Sequence, residues 1–434
     1  MKAAPRPRVF IETYGCAFNI SDSEVMAGLL EREGFELNHS AEGADAVIVN
    51  SCTVKDRSYL EFRKRIAALS RNQEGPAVIL AGCVPKVYHQ SREFAAHSQI
   101  GPDNLADIPE VVRRTLAGEI VQRTARAEQP RLNLPKRRRH EGVEIIPISK
   151  GCLGSCTFCQ TVIARGRLHS FPEEEILAQL EAAVAEGIKI IWLTSQDCGA
   201  YGLDRGSNLP KLMRRIARMR GDFRVRVGMA NPDLIKLYLP EFVEALADDR
   251  FFKFAHIPVQ AGCDDVLSAM QRLYTAADFR RIVDALRERM PEITIATDVI
   301  VGFPTETTES FDRTVALMRE TAPQVLNRSK FSPRPGTKAA RLPLLPSCEV
   351  SRRSRELYQL HRTIAAEDGA QWSGWSGAAI VEEALRPGVF LARNFAYKPI
   401  VLEGQFAPGE TVEIDGATPD GFHLNATVCS PQMA

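Results

Sequence analysis

Three apolar runs near the N-terminus share one context. RVFIET leads into Cys16, AVIVNS into Cys52 and AVILAG into Cys83, and each cysteine-bearing turn is followed by a stretch of helical pattern. Short apolar runs alternating with helices predict a parallel sheet joined by right-handed crossovers. Ser21 and Glu24 have the spacing of a capping box, so the first helix is expected over about 22–33. Parallel strands joined in this way end on one edge, where open α/β sheets bind their ligands. Three cysteines far apart in sequence are therefore expected to meet at one site.

The alternation resumes after 142. EIIPIS, KIIWLTS, FRVRVGM, KFAHIPV, ITIATDVIVG and VLNRSKF are six candidate strands separated by helical stretches. One of those stretches opens on Pro172 followed by Glu173, Glu174 and Glu175, a favourable helix start. Six such units form an incomplete version of the eight-unit β/α barrel, whose chemistry sits at the C-terminal ends of the strands. The loop after EIIPIS, GCLGSCTFC, thus falls on the expected active face. From Trp372 the pattern changes to short β-rich runs, AAIVEEAL, VFLAR, KPIVLE, ETVEI and HLNATV, separated by Gly, Pro and Asp. These predict a small antiparallel β-barrel. The expected fold class is α/β: a parallel-sheet domain over 1–117, a linker over 118–141, a partial (β/α)6 barrel over 142–371 and the β-barrel over 372–434.

Composition narrows this picture only a little. The chain has 434 residues, enough for two or three cores, with 44% hydrophobic and 25% charged residues and a formal net charge of +1. That balance argues neither for nor against a nucleic-acid partner. No N-terminal apolar run resembles a signal peptide, and no stretch reaches the roughly 18 apolar residues of a membrane span, so a cytoplasmic protein without a membrane partner is expected. In a reducing compartment the ten cysteines are poor disulfide candidates and better candidates for ligands. The basic run Lys136, Arg137, Arg138 and Arg139 reads either as a solvated connector or as a contact with RNA phosphates.

GCLGSCTFC has the form CxxxCxxC and places Cys152, Cys156 and Cys159 on one loop. Three thiolates on a four-iron cluster leave one iron open to chelate the amino and carboxylate groups of S-adenosylmethionine (SAM), whose reductive cleavage gives a 5′-deoxyadenosyl radical. A zinc site is the competing reading, although zinc sites more often use CxxC pairs completed elsewhere.

ETYGCAFNISDSE, NSCTV, GCLGSCTFCQTVIARGRLHSF, SQDCGAYG, VQAGCDDVLSAMQRLYT, TDVIVGFPTET and SKFSPRPGTKAA together resemble the radical-SAM methylthiotransferase family, from about residue 8 to 430. The resemblance implies that Cys16, Cys52 and Cys83 bind a second [4Fe–4S] cluster, whose open iron carries the sulfur to be methylated and transferred. One SAM donates the methyl group and another supplies the radical. Taken singly, each of these three cysteines reads as a buried structural thiol. The resemblance further implies a tRNA substrate, an external electron donor and a sulfur donor.

Family members act on tRNA adenosines carrying an isopentenyl or a threonylcarbamoyl group, or on an aspartate of a ribosomal protein. ARGRLHSF, LTSQDCGAYG and NFAYKPIVLE look most like the threonylcarbamoyladenosine branch. The last segment resembles the TRAM domain, an RNA-binding barrel, in which Arg393, Asn394, Tyr397 and Lys398 are candidate contacts. Yet 372–434 holds three Lys or Arg against seven Asp or Glu, a net of −4, which is not an RNA-binding footprint. Three candidates for SAM contact are Gln196, where many relatives have Glu, Arg165 beyond the cluster loop, and Gly302, where backbone can approach the adenine. Arg165 and Arg167 alternatively face RNA phosphate or surface carboxylates. Arg334 is expected to orient substrate or join domains. Cys198, Cys263, Cys348 and Cys429 lack cluster spacing and are read as structural thiols. A different class, a non-catalytic iron–sulfur redox sensor that binds RNA, would need no SAM cleavage.

Overall fold

The structure, a computed structural model, describes residues 6–53, 56–72 and 75–428. The chain divides into two compact units, one comprising Met1–Arg139, Lys150–Cys152 and Cys159–His169, the other His140–Ser149, Leu153–Phe158 and Ser170–Ala434. The CxxxCxxC loop contributes to both: Cys152 and Cys159 belong to the first unit and Cys156 to the second.

The first unit is built on a six-stranded parallel sheet in the order Glu36–Leu37, Arg8–Tyr14, Ala46–Ser51, Ala77–Gly82, Ser98–Ile100 and Gln122–Arg123. The three expected strands occupy its centre. Both faces are covered, Ile48, Ile79 and Ala81 packing with Met26, Leu29 and Leu30, and Val47, Val49 and Leu80 with Phe62 and Phe94. Burial on both faces explains why these strands read as continuous apolar runs instead of alternating ones.

Two expectations are corrected here. The first helix spans Ala17–Arg32, five residues earlier than the capping box suggested, with Cys16 as an extended N-cap and no side-chain cap. Ser21 and Glu24 are buried inside this helix, and Glu24 accepts from the Arg139 backbone N–H at 3.0 Å. The stretch 118–141 is no free connector. It supplies the edge strand Gln122–Arg123, Arg126 pairs with Asp103 at 3.0 Å, and Lys136 and Arg137 pair with Glu24 and Glu31 at 3.4 and 2.6 Å. The basic run thus satisfies acidic residues on the first helix.

All six strands expected of the partial barrel form in the second unit. Val143–Pro147, Ile190–Thr194 and Arg224–Val227 make one parallel group, and Phe254–His256, Thr294–Val301 and Val325–Lys330 another. The Phe252 N–H bonding to the Val225 carbonyl at 3.0 Å links them. After the helix Ser347–Gln371, five strands close a barrel: Gly377–Arg386, Val389–Arg393, Pro399–Glu403, Thr411–Asp420 and His423–Val428. Its pairings are antiparallel except one, since Pro399–Glu403 runs parallel to His423–Val428. No helix among the described residues is long and apolar enough to cross a membrane.

Candidate metal centre

In the first unit the sheet register places Tyr14 beside Ser51 and Ser51 beside Gly82. The strands therefore end level, and the cysteines that follow them come together at one edge, as their pattern predicted. Their thiols hydrogen-bond in series with Cys52 in the middle. That bonding, aided by the Arg165 charge, lowers Cys16 and Cys83 to about 6, while the bonds to its two neighbours, and burial, hold Cys52 well above the usual thiol range. Cys16 also caps a 16-residue helix, whose free N–H groups favour a thiolate.

A polar scaffold supports this edge. Asn50 donates to the Asn19 carbonyl at 2.9 Å and to the Ser23 hydroxyl at 2.8 Å, and Thr13 donates to Ser23 at 2.8 Å. Gly82 stands at φ +89°, where a Cβ would run into the Asn50 side chain and the Ser51 carbonyl. Only glycine lets the chain turn there into the short helix that begins with Cys83.

Arg165, expected against SAM or RNA, lies beside the thiol of Cys83. Its side chain is 3% exposed. Its Nε donates to Cys83 Sγ at 3.2 Å and its Nη2 to Asp22 at 2.7 Å, and the guanidinium lies over the Phe18 ring. Arg131, whose guanidinium also lies over the Phe18 ring, pairs with the same Asp22. Two guanidiniums against one carboxylate leave a net positive charge beside the thiols. Of the first unit's CxxxCxxC cysteines, Cys159 contacts the Thr161 hydroxyl at 3.0 Å, and the Cys152 N–H bonds to the Gly166 carbonyl at 3.2 Å.

Cys156, in the second unit, accepts from Arg272 Nη1 at 3.1 Å. Arg272 also donates to Tyr274 at 2.9 Å and to Asn231, whose side chain in turn donates to Asp197 at 2.6 Å. Burial pushes the Asp197 carboxyl up to about 6. This Asp197–Asn231–Arg272 chain was not singled out from the sequence, because its members lie 34 and 41 residues apart. Asp197 and Arg272 stand in the quoted stretches SQDCGAYG and VQAGCDDVLSAMQRLYT, and Asn231 in neither.

Gln196 is half-buried just past the strand Ile190–Thr194, at the C-terminal edge of its sheet. Gly302 serves the backbone: its φ is +77°, a Cβ would meet Val350, and its N–H already donates to Glu306 at 2.9 Å. Its glycine requirement is thus explained within the chain. Cys198 and Cys263 are buried, Cys348 is exposed and so is no packed structural thiol, and Cys429 lies outside the described residues.

The four residues expected to contact RNA make bonds within the chain. Arg393 forks onto Glu382 at 2.8 and 3.1 Å, and Tyr397 donates to the same carboxylate at 3.0 Å. Asn394 accepts from the Ala396 and Lys398 N–H groups, and Lys398 pairs with Asp368 at 2.6 Å. Arg393, Tyr397 and Lys398 border a cavity of about 390 Å³, yet their polar ends are engaged within the chain. NFAYK instead docks the small barrel onto the strands: the Lys253 N–H bonds to the Phe395 carbonyl and the Thr294 hydroxyl to the Ala396 carbonyl, both at 2.8 Å.

Among the described residues, no group of three or more His, Cys, Asp and Glu side chains is arranged to hold a single metal ion. The donor set at the sheet edge is sulfur alone, which suits an iron–sulfur cluster, where thiolates bind different irons.

Comparison with known proteins agrees with this chemistry. Residues 8–100 match the model described as "Uncharacterized protein family UPF0004", and residues 146–318 that of the Radical SAM superfamily. The chain is 42% identical over 410 residues to the "Probable threonylcarbamoyladenosine tRNA methylthiotransferase" of Archaeoglobus fulgidus, spanning 94% of this chain and 95% of that one. It is 43% identical to the "Threonylcarbamoyladenosine tRNA methylthiotransferase" of Drosophila melanogaster, over 91% of this chain and 72% of the other. Among solved structures, the radical SAM methyltransferase TsrM from Kitasatospora setae aligns with a TM-score of 0.55 at 18% identity, over 77% of this chain and 75% of that one, a likeness of fold. With that identity maintained along nearly its whole length, and both family models matched in order, the chain belongs to the radical-SAM methylthiotransferase family, in its threonylcarbamoyladenosine tRNA branch.

Proposed function

We propose that this protein converts threonylcarbamoyladenosine beside the tRNA anticodon to its 2-methylthio derivative. The observation that carries the reading is the level ending of three parallel strands that gathers Cys16, Cys52 and Cys83 in a chain that also holds the CxxxCxxC loop. In this reading Cys152, Cys156 and Cys159 hold one [4Fe–4S] cluster, and Cys16, Cys52 and Cys83 a second. When bound, the clusters and SAM supply one-electron reductive cleavage, a methyl group and a transferable sulfur.

The chain's own residues position and polarise. Arg272 donates to Cys156 and Arg165 to Cys83, each stabilising a thiolate by a charge-assisted hydrogen bond. Gln196, at the sheet's C-terminal edge, is assigned to SAM. The reaction requires an external electron donor and a sulfur donor, and a reducing cytoplasm suits its thiols. The domains follow the same division of labour: 1–117 for the second cluster, 142–371 for radical chemistry, 372–434 as an accessory barrel.

Mass spectrometry of tRNA nucleosides from deletion and complemented cells tests the proposal. The 2-methylthio derivative of threonylcarbamoyladenosine is expected to vanish on deletion and return on complementation. An unchanged methylthio-nucleoside profile overturns the assignment.

A further inference from the structure

The residues first expected to meet RNA are engaged elsewhere: two cations of the basic run with the first helix, Arg393 and Lys398 with Glu382 and Asp368. A different cluster is not. Alternate residues Arg328 and Lys330 of the last core strand face Ser351, Ser354, Arg355 and Tyr358 of the following helix, and together they line a groove of about 270 Å³. The helix positions fall at i, i+3, i+4 and i+7, one stripe of a helix, while its neighbouring stripe, Arg353, Leu357, His361 and Ile364, is the one buried against the unit. A strand–helix seam that served packing alone would be apolar. This one carries three cations, three hydroxyls and no carboxylate.

Its cations lack acidic partners. Lys330 donates to the Ser351 hydroxyl at 3.0 Å, and Arg328 donates to the Ser354 carbonyl at 3.1 Å while lying over the Tyr358 ring at 4.7 Å. Arg328 Nε has no hydrogen-bond partner, and no ion pair is formed by Arg328, Lys330 or Arg355 among the described residues. Nearby Glu349 and Glu356 are taken up by Arg352 and Arg353. Cations held by a hydroxyl, a backbone carbonyl and a ring, at the C-terminal end of a core strand, form a cradle for an oxyanion.

We infer that the Arg328–Lys330–Arg355 groove binds phosphodiester groups of the RNA substrate, docking it at the strand end of the radical-SAM core. The inference rests on the tRNA reading above. The contact lies at the seam between the last core strand and the helix Ser347–Gln371.

The test measures binding of bulk tRNA to the full-length, cluster-loaded protein by fluorescence anisotropy across a KCl series. The triple variant Arg328→Gln, Lys330→Gln, Arg355→Gln is compared with wild type and with a charge control, Lys211→Gln, Arg214→Gln, Arg218→Gln, on an exposed helix face. Retained iron content and melting temperature show that each variant is folded, and Arg355→Glu alone, at an exposed position, serves if the triple variant is not. The groove variant is expected to lose about tenfold or more in affinity, and the slope of log K against log [KCl] is expected to fall by about two to three. The charge control keeps both.

Wild-type binding with an unaffected groove variant overturns the inference alone, as does an equal loss in the charge control. Competition by inorganic phosphate at constant ionic strength would mark a free-phosphate site and also overturns it. A wild-type protein that binds no tRNA overturns the substrate reading and the groove with it.

Discussion

Two arginines, 107 positions apart in sequence, perform the same task at different thiols: Arg165 donates to Cys83 and Arg272 to Cys156. Hydrogen bonds and positive charge beside cluster thiolates stabilise the reduced cluster and raise its potential. In a variant with Cys152, Cys156 and Cys159 changed to Ala, Arg165→Gln is expected to keep its iron but shift the remaining cluster to a more negative midpoint potential, read by EPR-monitored titration. Arg165→Lys, which keeps the charge but not the fork, should fall between. An unmoved potential would reduce Arg165 to a packing role. Asp197 allows a prediction of pH dependence. Its carboxyl is raised from 3.8 to about 6 by burial, so the folded chain favours the protonated form. The stabilisation is complete below the unfolded value and is lost as pH rises through the folded one. Denaturant unfolding should therefore show wild type losing about 3 kcal/mol between about pH 4 and pH 6–7 relative to Asp197→Asn.

At the scale of the element, the turn after each central strand is what gathers the cysteines. Gly82 shows how little tolerance the edge has: a Cβ there combines positive-φ strain with a collision against Asn50 and Ser51. Gly82→Ala is expected to cost about 2–3 kcal/mol and to deplete the cluster proposed at Cys16, Cys52 and Cys83, visible as iron content falling while Cys152, Cys156 and Cys159 are untouched. The strands themselves were legible. RVFIET, AVIVNS, AVILAG, the six core runs and the five barrel runs all appear where their patterns placed them, because each is a short apolar segment bounded by turn residues. Glu36–Leu37, Ser98–Ile100 and Gln122–Arg123 were not legible, since two or three residues carry no period and exist as strands only by pairing with a neighbour. The displaced start of the first helix has a related cause. Cys16 takes the N-cap through backbone geometry alone, a role for which cysteine gives no compositional signal.

For the whole molecule the decisive quantity is the number of clusters. Anaerobically reconstituted protein is expected to carry about eight irons, falling to about four when Cys152, Cys156 and Cys159 become Ala, as two cysteine-held cubanes require. A wild-type value near four would remove the two-centre arrangement. The candidate RNA contacts also belong to this scale. Within RNFAYK, Arg393 pairs with Glu382 of the barrel, whose net charge is −4, and Lys398 with Asp368 of the preceding helix, whereas Arg328, Lys330 and Arg355 form no ion pair among the described residues.

By itself the sequence determined the spacing of the cysteines and the order of the elements. Ligand spacing on one loop is local, and apolar periodicity records which segments are buried strands. Tertiary structure alone decided which partners surround those thiols and which cations remain available. Arg165 meets Cys83 across 82 residues and Arg272 meets Cys156 across 116. Whether an arginine faces a thiolate, a carboxylate or solvent depends on what the fold brings opposite it, and no period in the chain encodes that.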